Sequence, residues 1–158
     1  MSYDIHLVDP VSKETLQLPC EHVMIGGTYA ADYDPKTGRF TPKPISEAHI
    51  NITYNYGKYY YEATDGDPRF AHDEVTAYYA DGSTGPTKTE YGIRGLYGKT
   101  GAESIPMIKY IIDFISKKYP SLETSDDYWE PTPGNAVRPL YQLLAMAQLR
   151  PDGVWDGD

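Results

Sequence analysis

The sequence has little cysteine and little phenylalanine. Among 158 residues there is one cysteine, Cys20, and there are three phenylalanines against 16 tyrosines. A single cysteine excludes an internal disulfide framework, so a domain of this length must be stabilised by its hydrophobic core. The first residues lack the basic and apolar regions of a secretory signal, and no apolar run approaches the roughly 18 residues that span a bilayer. These absences predict a cytoplasmic protein with no membrane contact.

Positive charge is also scarce. The chain has 14 lysines and arginines against 23 aspartates and glutamates, which gives a formal net charge of −9. A protein that binds duplex nucleic acid needs a concentrated surface of lysine and arginine to neutralise phosphates. We therefore expect no duplex nucleic-acid partner. An acidic surface keeps a small protein dispersed in solution, and it also speeds docking to a basic partner.

Motifs of known chemistry are scarce as well. The four histidines do not have metal-ligand spacing such as HxH or HExxH, although His6, His22 and His49 fall in predicted strands, where two could meet across a sheet. Cys20 and His22 share a face of an extended segment, but the pattern is more typical of a buried strand start than of an activated nucleophile. The acidic stretch that includes Asp65 does not keep EF-hand spacing. We expect no metal, no cofactor and no catalytic residues.

The first half of the chain has the patterns of strands. Tyr3–Val8 alternates polar and apolar residues, and Thr15–Leu18 is predicted to return as the second strand of a hairpin. Tyr29–Tyr33 and Ala48–Tyr54 are further predicted strands. Residues 64–90 are rich in glycine, aspartate and proline, which predicts a long loop, inside which Glu74–Tyr79 could form a short element.

The second half has the patterns of helices. Isoleucines recur at helical spacing from about Ser104 to Tyr119, and a more uniformly apolar helix is predicted from about Asn135 to Leu149. Residues 151–158 form a predicted acidic tail. The sequence therefore predicts one α+β domain over residues 1–158, with an antiparallel N-terminal sheet packed by two or three C-terminal helices.

Tyrosines cluster in the middle of the chain, with five of them inside eight residues. A buried ring needs no hydroxyl, and a buried hydroxyl needs a partner, so many of these rings are expected to lie half exposed at a surface. Tyrosine and tryptophan are enriched at protein interfaces. The predicted interaction surface consists of Tyr54, Tyr56, Tyr59, Tyr60, Tyr61, Trp129 and Trp155.

A second candidate site lies at the starts of the two helices. The segment 92–100 resembles a phosphate-binding P-loop, but Ile93 stands where the motif requires glycine. Backbone amides at a helix start attract anions whatever the motif. The alternative is structural, because Thr100 and Glu103 have the spacing of a capping box. The predicted anion-binding residues are Arg94, Gly98, Lys99, Thr100, Asn135 and Arg138, which share one cleft only if the two helix starts converge.

Two functions follow from these patterns. The first is a non-catalytic intracellular protein that binds a macromolecular partner through a tyrosine-rich, acidic surface, as an inhibitor, an immunity-like factor or a nucleic-acid mimic of a bacterium or phage does. The alternative is a protein that binds a nucleotide-like or other anionic small molecule at the helix starts. Pairs such as Trp155-Asp156 are also compatible with a sugar site, but aromatic–acid pairs are common without one.

Overall fold

The computed structural model describes residues 1–25 and 30–158. It confirms the α+β prediction: within these ranges the chain forms nine strands and three α-helices. The strands are β1 (Ser2–Val8), β2 (Gln17–Val23), β3 (Ala31–Asp34), β4 (Arg39–Pro42), β5 (Pro44–Glu47), β6 (His49–Thr53), β7 (Asp73–Tyr78), β8 (Thr84–Glu90) and β9 (Val154–Gly157). The helices are α1 (Gly57–Thr64), α2 (Gly101–Lys118) and α3 (Pro133–Leu149), with 3₁₀ turns at Tyr54–Tyr56, Pro68–Phe70 and Ile93–Leu96.

A three-stranded antiparallel sheet, in the order β6–β1–β9, forms the centre of the molecule. Successive side chains of a strand point to opposite faces, so the alternating sequence of β1 separates its residues by polarity. Tyr3, Ile5 and Leu7 are buried in the hydrophobic core. Asp4 and His6 lie on the other face and are partly exposed.

The two long helices pack against each other in antiparallel orientation and contribute half of the core residues that lie outside the central sheet. Gly101, at the start of α2, lies against the carbonyl of Arg150, just past the end of α3. Gly134, at the start of α3, lies against the carbonyl of Leu122, beyond the end of α2. The sequence left open whether the two helix starts converge on one cleft, and the antiparallel packing answers this question by placing them at opposite ends of the helix pair.

The predicted N-terminal hairpin between Tyr3–Val8 and Thr15–Leu18 does not form as a regular strand pair. β2 pairs with β5, with an irregularity in the register, and not with β1. An isolated bridge between Val8 and Thr15, together with the hydrogen bond from Leu16 N to Leu7 O at 2.8 Å, joins the backbone of β1 to the segment before β2. The first residue of the predicted strand Tyr29–Tyr33 lies outside the described residues, and its later residues form β3, which pairs with β4.

Two segments predicted to lack regular structure contain strands. The predicted loop 64–90 holds the 3₁₀ turn Pro68–Phe70 and the β7–β8 hairpin. The predicted tail 151–158 contains β9, which adds an edge strand to the central sheet. In the described ranges no helix is both long enough and apolar enough to cross a membrane.

Candidate functional site

The polar face of the central sheet gathers titratable side chains from three strands. In the strand register His6 lies opposite His49 of β6 on one side and opposite Asp156 of β9 on the other. One pleat further along β1, Asp4 lies opposite Asn51. The alternation that buries the apolar residues of β1 thus places these five side chains on one surface, and it confirms that two of the strand histidines meet across a sheet.

Close contacts join Asp4, His6 and His49. The imidazole rings of His6 and His49 stack with their centroids 4.0 Å apart and their planes within 1° of parallel. His49 Nε2 lies 2.5 Å from Asp4 Oδ1, and His6 Nε2 lies 3.7 Å from Asp4 Oδ2. The His49 side chain is 1 % exposed, against 27 % for His6 and 45 % for Asp4. The cluster therefore has a buried wall and a side open to solvent.

Burial and neighbouring charge set the ionisation of this cluster. Burial, and then the nearby His49, lower the pKa of His6 below its ordinary value of 6.5, which favours the neutral ring. Burial alone would raise the pKa of Asp4, but the hydrogen bond with His49 and the positive charge that this ring can carry lower it on balance. At neutral pH the cluster accordingly contains an ionised carboxylate beside a neutral imidazole.

Asp158 joins this polar face to a second cleft. The backbone N of Asp4 donates a hydrogen bond to Asp158 Oδ1 at 3.0 Å, and Arg94 Nε donates to the backbone oxygen of Asp158 at 2.8 Å. The second cleft has a volume of about 440 Å³. It is lined by Ala71, His72, Asp73, Arg94, Gly95, Tyr97, Lys99 and Asp158.

Arg94 is held in place by aromatic rings. Its Nη2 donates a hydrogen bond to the Tyr54 hydroxyl at 2.6 Å, and its Cζ lies 5.3 Å from the ring centroids of both Tyr3 and Tyr54. Together with the bond to Asp158 O, these contacts order the guanidinium. Arg94 and Lys99, two of the predicted anion-binding residues, therefore do share a cleft, but the carboxylates of Asp73 and Asp158 offset their charge.

The backbone amides at the start of α2 already have acceptors. Thr100 N donates to Glu103 Oε2 at 2.8 Å, and Glu103 N donates to Thr100 Oγ1 at 3.1 Å, which is the capping box of the structural alternative. Gly101 N donates to Gly153 O at 2.8 Å, and Ala102 N donates to Pro151 O at 3.1 Å. The prediction of an anion site on these amides is corrected, because the capping box and the segment before β9 occupy them.

Asn135 is a structural residue as well. Its side chain is buried, its Oδ1 accepts from Ser125 N at 3.2 Å, and its Nδ2 donates to the carbonyls of Ser125 and Asp127, each at 3.1 Å. Arg138 is exposed on α3, in the half of the helix pair away from Arg94. The predicted anion-binding set is therefore divided between two regions of the molecule.

Most of the clustered tyrosines belong to the core. Tyr56, Tyr59 and Tyr60 are buried, which corrects their assignment to an interaction surface. Their hydroxyls donate to backbone carbonyls of the segment 128–136, which leads into α3 and includes its first turn. Tyr59 reaches Pro131 O at 2.7 Å and Tyr60 reaches Ala136 O at 2.8 Å, and Tyr56 donates to Tyr128 O. These bonds give the buried hydroxyls acceptors and fasten α1 to this segment.

The remaining aromatic residues of the predicted surface divide into exposed and buried groups. Tyr61 is 47 % exposed and Trp129 is 52 % exposed, whereas Tyr54 is half-buried. Trp155 is 1 % exposed, and its Nε1 donates to Ser104 Oγ at 2.7 Å. The assignment of Trp155 to an interaction surface is wrong because β9 carries its ring into the core.

The β7–β8 hairpin exposes apolar residues that the sequence analysis did not assign to a surface. Val75, Tyr78 and Tyr79 are exposed, with 81 % of Tyr78 accessible to solvent. A smaller pair of exposed rings, Tyr33 and Phe40, faces solvent across β3 and β4, with centroids 5.0 Å apart. The sequence indicated a short element at Glu74–Tyr79, but it did not indicate the pairing with Thr84–Glu90 that makes this element one arm of a hairpin.

No protein-family model, curated protein or solved structure was found to match this chain. The class that the fold defines is an α+β protein built on a three-stranded antiparallel sheet. Its function must therefore be argued from the side chains themselves.

Proposed function

We propose that this chain is a non-catalytic interaction protein that binds a basic protein partner through the exposed β7–β8 hairpin. The observation that supports this proposal most directly is the exposure of Val75, Tyr78 and Tyr79 on an arm that lies outside the core. Tyrosines presented at a surface are typical of interface hot spots. The proposal keeps the function inferred from the sequence but moves the binding surface away from residues 54–61.

The hairpin is poorly supported by the rest of the molecule. Among the described residues, the hydrophobic core takes none of its members from β7 or β8. An isolated two-stranded hairpin is marginally stable in water, and three strands or a packed face are needed for independent stability. A partner that covers the apolar side chains or adds a strand to a free edge would supply what the hairpin lacks.

The charge of the hairpin selects the kind of partner. Residues 73–90 contain Asp73, Glu74, Asp81 and Glu90 against the single Lys88. A basic protein surface complements this charge and docks faster at low ionic strength. The exposed thiol of Cys20 agrees with a reducing compartment, so we place the interaction in the cytoplasm.

The test is affinity capture from a lysate of the source organism with three forms of the protein. These are the wild type, the double variant Val75→Ser/Tyr78→Ser and the control Tyr141→Ser, which changes an exposed tyrosine of α3. We expect a basic protein to be retained by the wild type and the control, lost by the double variant, and released as salt is raised. Retention by all three forms would contradict the hairpin as the binding surface.

A second candidate function is the binding of a small anion in the cleft that contains Arg94 and Lys99. The observation that favours it is the presence of these two cations and His72 around one cavity. The absorbance ratio at 260 and 280 nm and a native mass spectrum, before and after unfolding, would reveal a nucleotide that copurifies. A titration with ATP should then show binding that Lys99→Ala weakens and that Lys109→Ala, a change on the exposed face of α2, leaves intact.

A further inference from the structure

We propose that Asp4, His6 and His49 bind one divalent transition-metal ion of the zinc class on the polar face of the central sheet. This inference is independent of the proposed interaction function. It contradicts our expectation from the sequence that the chain has no metal site. That expectation depended on spacing along the chain, whereas these three ligands come together through the pairing of β1 with β6.

The ligand atoms lie close enough to share an ion. One nitrogen of each histidine and one carboxylate oxygen of Asp4 all fall within 4.8 Å of one another. Around a tetrahedral zinc ion, with bonds of about 2.0–2.1 Å, ligand atoms are about 3.3 Å apart. His49 is fixed in the wall, while His6 and Asp4 are partly exposed. Because the lone pair of an imidazole nitrogen lies in the ring plane, the His6 ring must turn out of its parallel stack with His49 to share an ion, and its partial exposure leaves room for that rotation.

The donor types match the proposed ion. Imidazole nitrogen suits zinc, copper and nickel, and a carboxylate commonly completes the set, whereas magnesium and calcium prefer sites made of oxygen alone. The strand register fixes the spacing of the three ligands, because His6 and His49 are directly paired and Asp4 stands two residues from His6 on the same face.

Neighbouring side chains orient the ligands in the manner of a metal site. The hydroxyl oxygen of Thr15 lies 3.3 Å from His6 Nδ1, which leaves His6 Nε2 directed at the Asp4 carboxylate. The side-chain amide of Asn51 donates to Ser2 Oγ at 2.9 Å and to Asp4 Oδ1 at 3.4 Å. Such partners hold metal-binding histidines and carboxylates in one orientation.

The surroundings favour a cation and leave room for an exogenous ligand. Asp4 and His6 open into a shallow cleft of about 300 Å³, which Asp156, Gly157 and Asp158 also line. Two further carboxylates beside the cluster attract a dication and repel an anion. Because three protein ligands leave at least one coordination position unfilled, the ion would carry water there.

A second group of possible ligands, His72, Asp73 and Glu90, is the natural comparison. There Asp73 and Glu90 are exposed, and both ring nitrogens of His72 face oxygen acceptors: Nδ1 lies 2.9 Å from Asp73 Oδ2 and Nε2 lies 3.2 Å from Tyr91 O. Because one ring nitrogen of His72 is held by a backbone carbonyl and the other two residues are exposed, this group is a less ordered set of ligands than Asp4, His6 and His49. His72→Ala therefore removes a histidine without touching the proposed site.

The experiment is calorimetric titration of the whole chain with Zn²⁺, together with visible absorption of the Co²⁺-loaded form, whose intensity reports the coordination number. The variants are His6→Ala, Asp4→Asn and the control His72→Ala, each checked for folding by circular dichroism. We expect one ion per chain in the wild type and the control. We expect at least about a 100-fold loss of affinity in His6→Ala and Asp4→Asn, the upper end of the effect seen for outer-shell partners.

Three results would overturn the proposal. One is a wild type that binds no Zn²⁺, and another is a wild type that binds it no more tightly than both site variants do. The third is loss of binding in His72→Ala with binding retained in His6→Ala. If His6→Ala fails to fold, Asp4→Asn decides the question, because it replaces a partly exposed carboxylate by a group of the same shape.

Discussion

The indole Nε1 of Trp155 donates a hydrogen bond to the hydroxyl oxygen of Ser104 at 2.7 Å, between residues separated by 51 positions in the chain. The Ser104 hydroxyl in turn donates to Gly101 O at 2.8 Å. Both side chains are buried. This pair connects the edge strand β9 to the first turn of α2, so sheet and helix depend on each other for their position.

Replacing Trp155 by alanine should lower the free energy of unfolding by about 3–5 kcal/mol, because it opens a cavity and leaves the Ser104 hydroxyl without its donor. Chemical denaturation followed by fluorescence or circular dichroism measures this change. Trp129→Ala, at a tryptophan that is 52 % exposed, should change stability by less than about 1 kcal/mol. Similar losses in the two variants would contradict the core position of Trp155.

Tyr60→Phe should cost about 1–3 kcal/mol, although the ring volume hardly changes. The substitution removes the hydroxyl that donates to Ala136 O at 2.8 Å and leaves that carbonyl buried without this donor. Tyr141→Phe, on the exposed face of α3, is the matched control and should be close to neutral. Denaturant unfolding of both variants provides the comparison, and an unchanged midpoint for Tyr60→Phe would refute the argument.

The tyrosines should make the protein unfold cooperatively in alkali. Burial raises the pKa of a group of them: Tyr3, Tyr56, Tyr60, Tyr97 and Tyr128. Since the pKa is higher in the folded state than the value of 10 in the unfolded state, the stabilisation is complete below pH 10 and is lost as the pH rises further. Between pH 10 and the pKa of the folded state, each of these tyrosines lowers the free energy of unfolding by about 1.4 kcal/mol per pH unit.

Absorbance at 295 nm, which reports tyrosinate, and circular dichroism should therefore change together in one step above pH 10. A gradual rise in absorbance while the circular dichroism stays native would show that the buried hydroxyls ionise without unfolding. That result would contradict the core position of Tyr3, Tyr56 and Tyr60.

Gly95→Ala should be strongly destabilising. A Cβ at this position would lie 2.4 Å from the backbone Cα of Phe70, so the Pro68–Phe70 turn would have to move. Overpacking of this kind costs about 1–3 kcal/mol or more. Gly38→Ala is the control for backbone strain alone. Its φ is +68°, which an alanine adopts only with strain, but its Cβ would contact no other atom. Thermal unfolding should show the larger loss for Gly95→Ala.

The two long helices could be predicted from the sequence because their pattern is local. The isoleucine stripe of α2 and the apolar run of α3 define each helix to within three residues of the observed start, since helical spacing is visible in any short window. The segregation of strands before helices was likewise sufficient for the α+β class.

Strand pairing could not be predicted in the same way. β9 has four residues, two of them small or acidic, and only its pairing with β1 about 150 positions earlier makes it a strand. The buried tyrosines present the same difficulty, because their acceptors are carbonyls 72–76 residues away. Because the sequence does not show these distant acceptors, it predicts that the tyrosine hydroxyls are exposed to solvent.

The sequence contains residue types that can bind a metal ion, but it does not show that Asp4, His6 and His49 lie together. His6 and His49 were expected in strands that could meet, yet nothing in the chain gave their register. A shift of one residue would have placed His49 on the apolar face of the sheet. Register depends on tertiary packing, and a single sequence does not provide it.

The position of β9 at the edge of the central sheet has a consequence for synthesis on the ribosome. β1 emerges first, but one of its two neighbours in the sheet is made only after α3 is complete. Until then one edge of β1 has no strand partner, and the hydrophobic core lacks the ring of Trp155. We therefore expect the central sheet to be completed only after β9 has been synthesised, and the open edge of β1 to be a site where chaperones can bind until then.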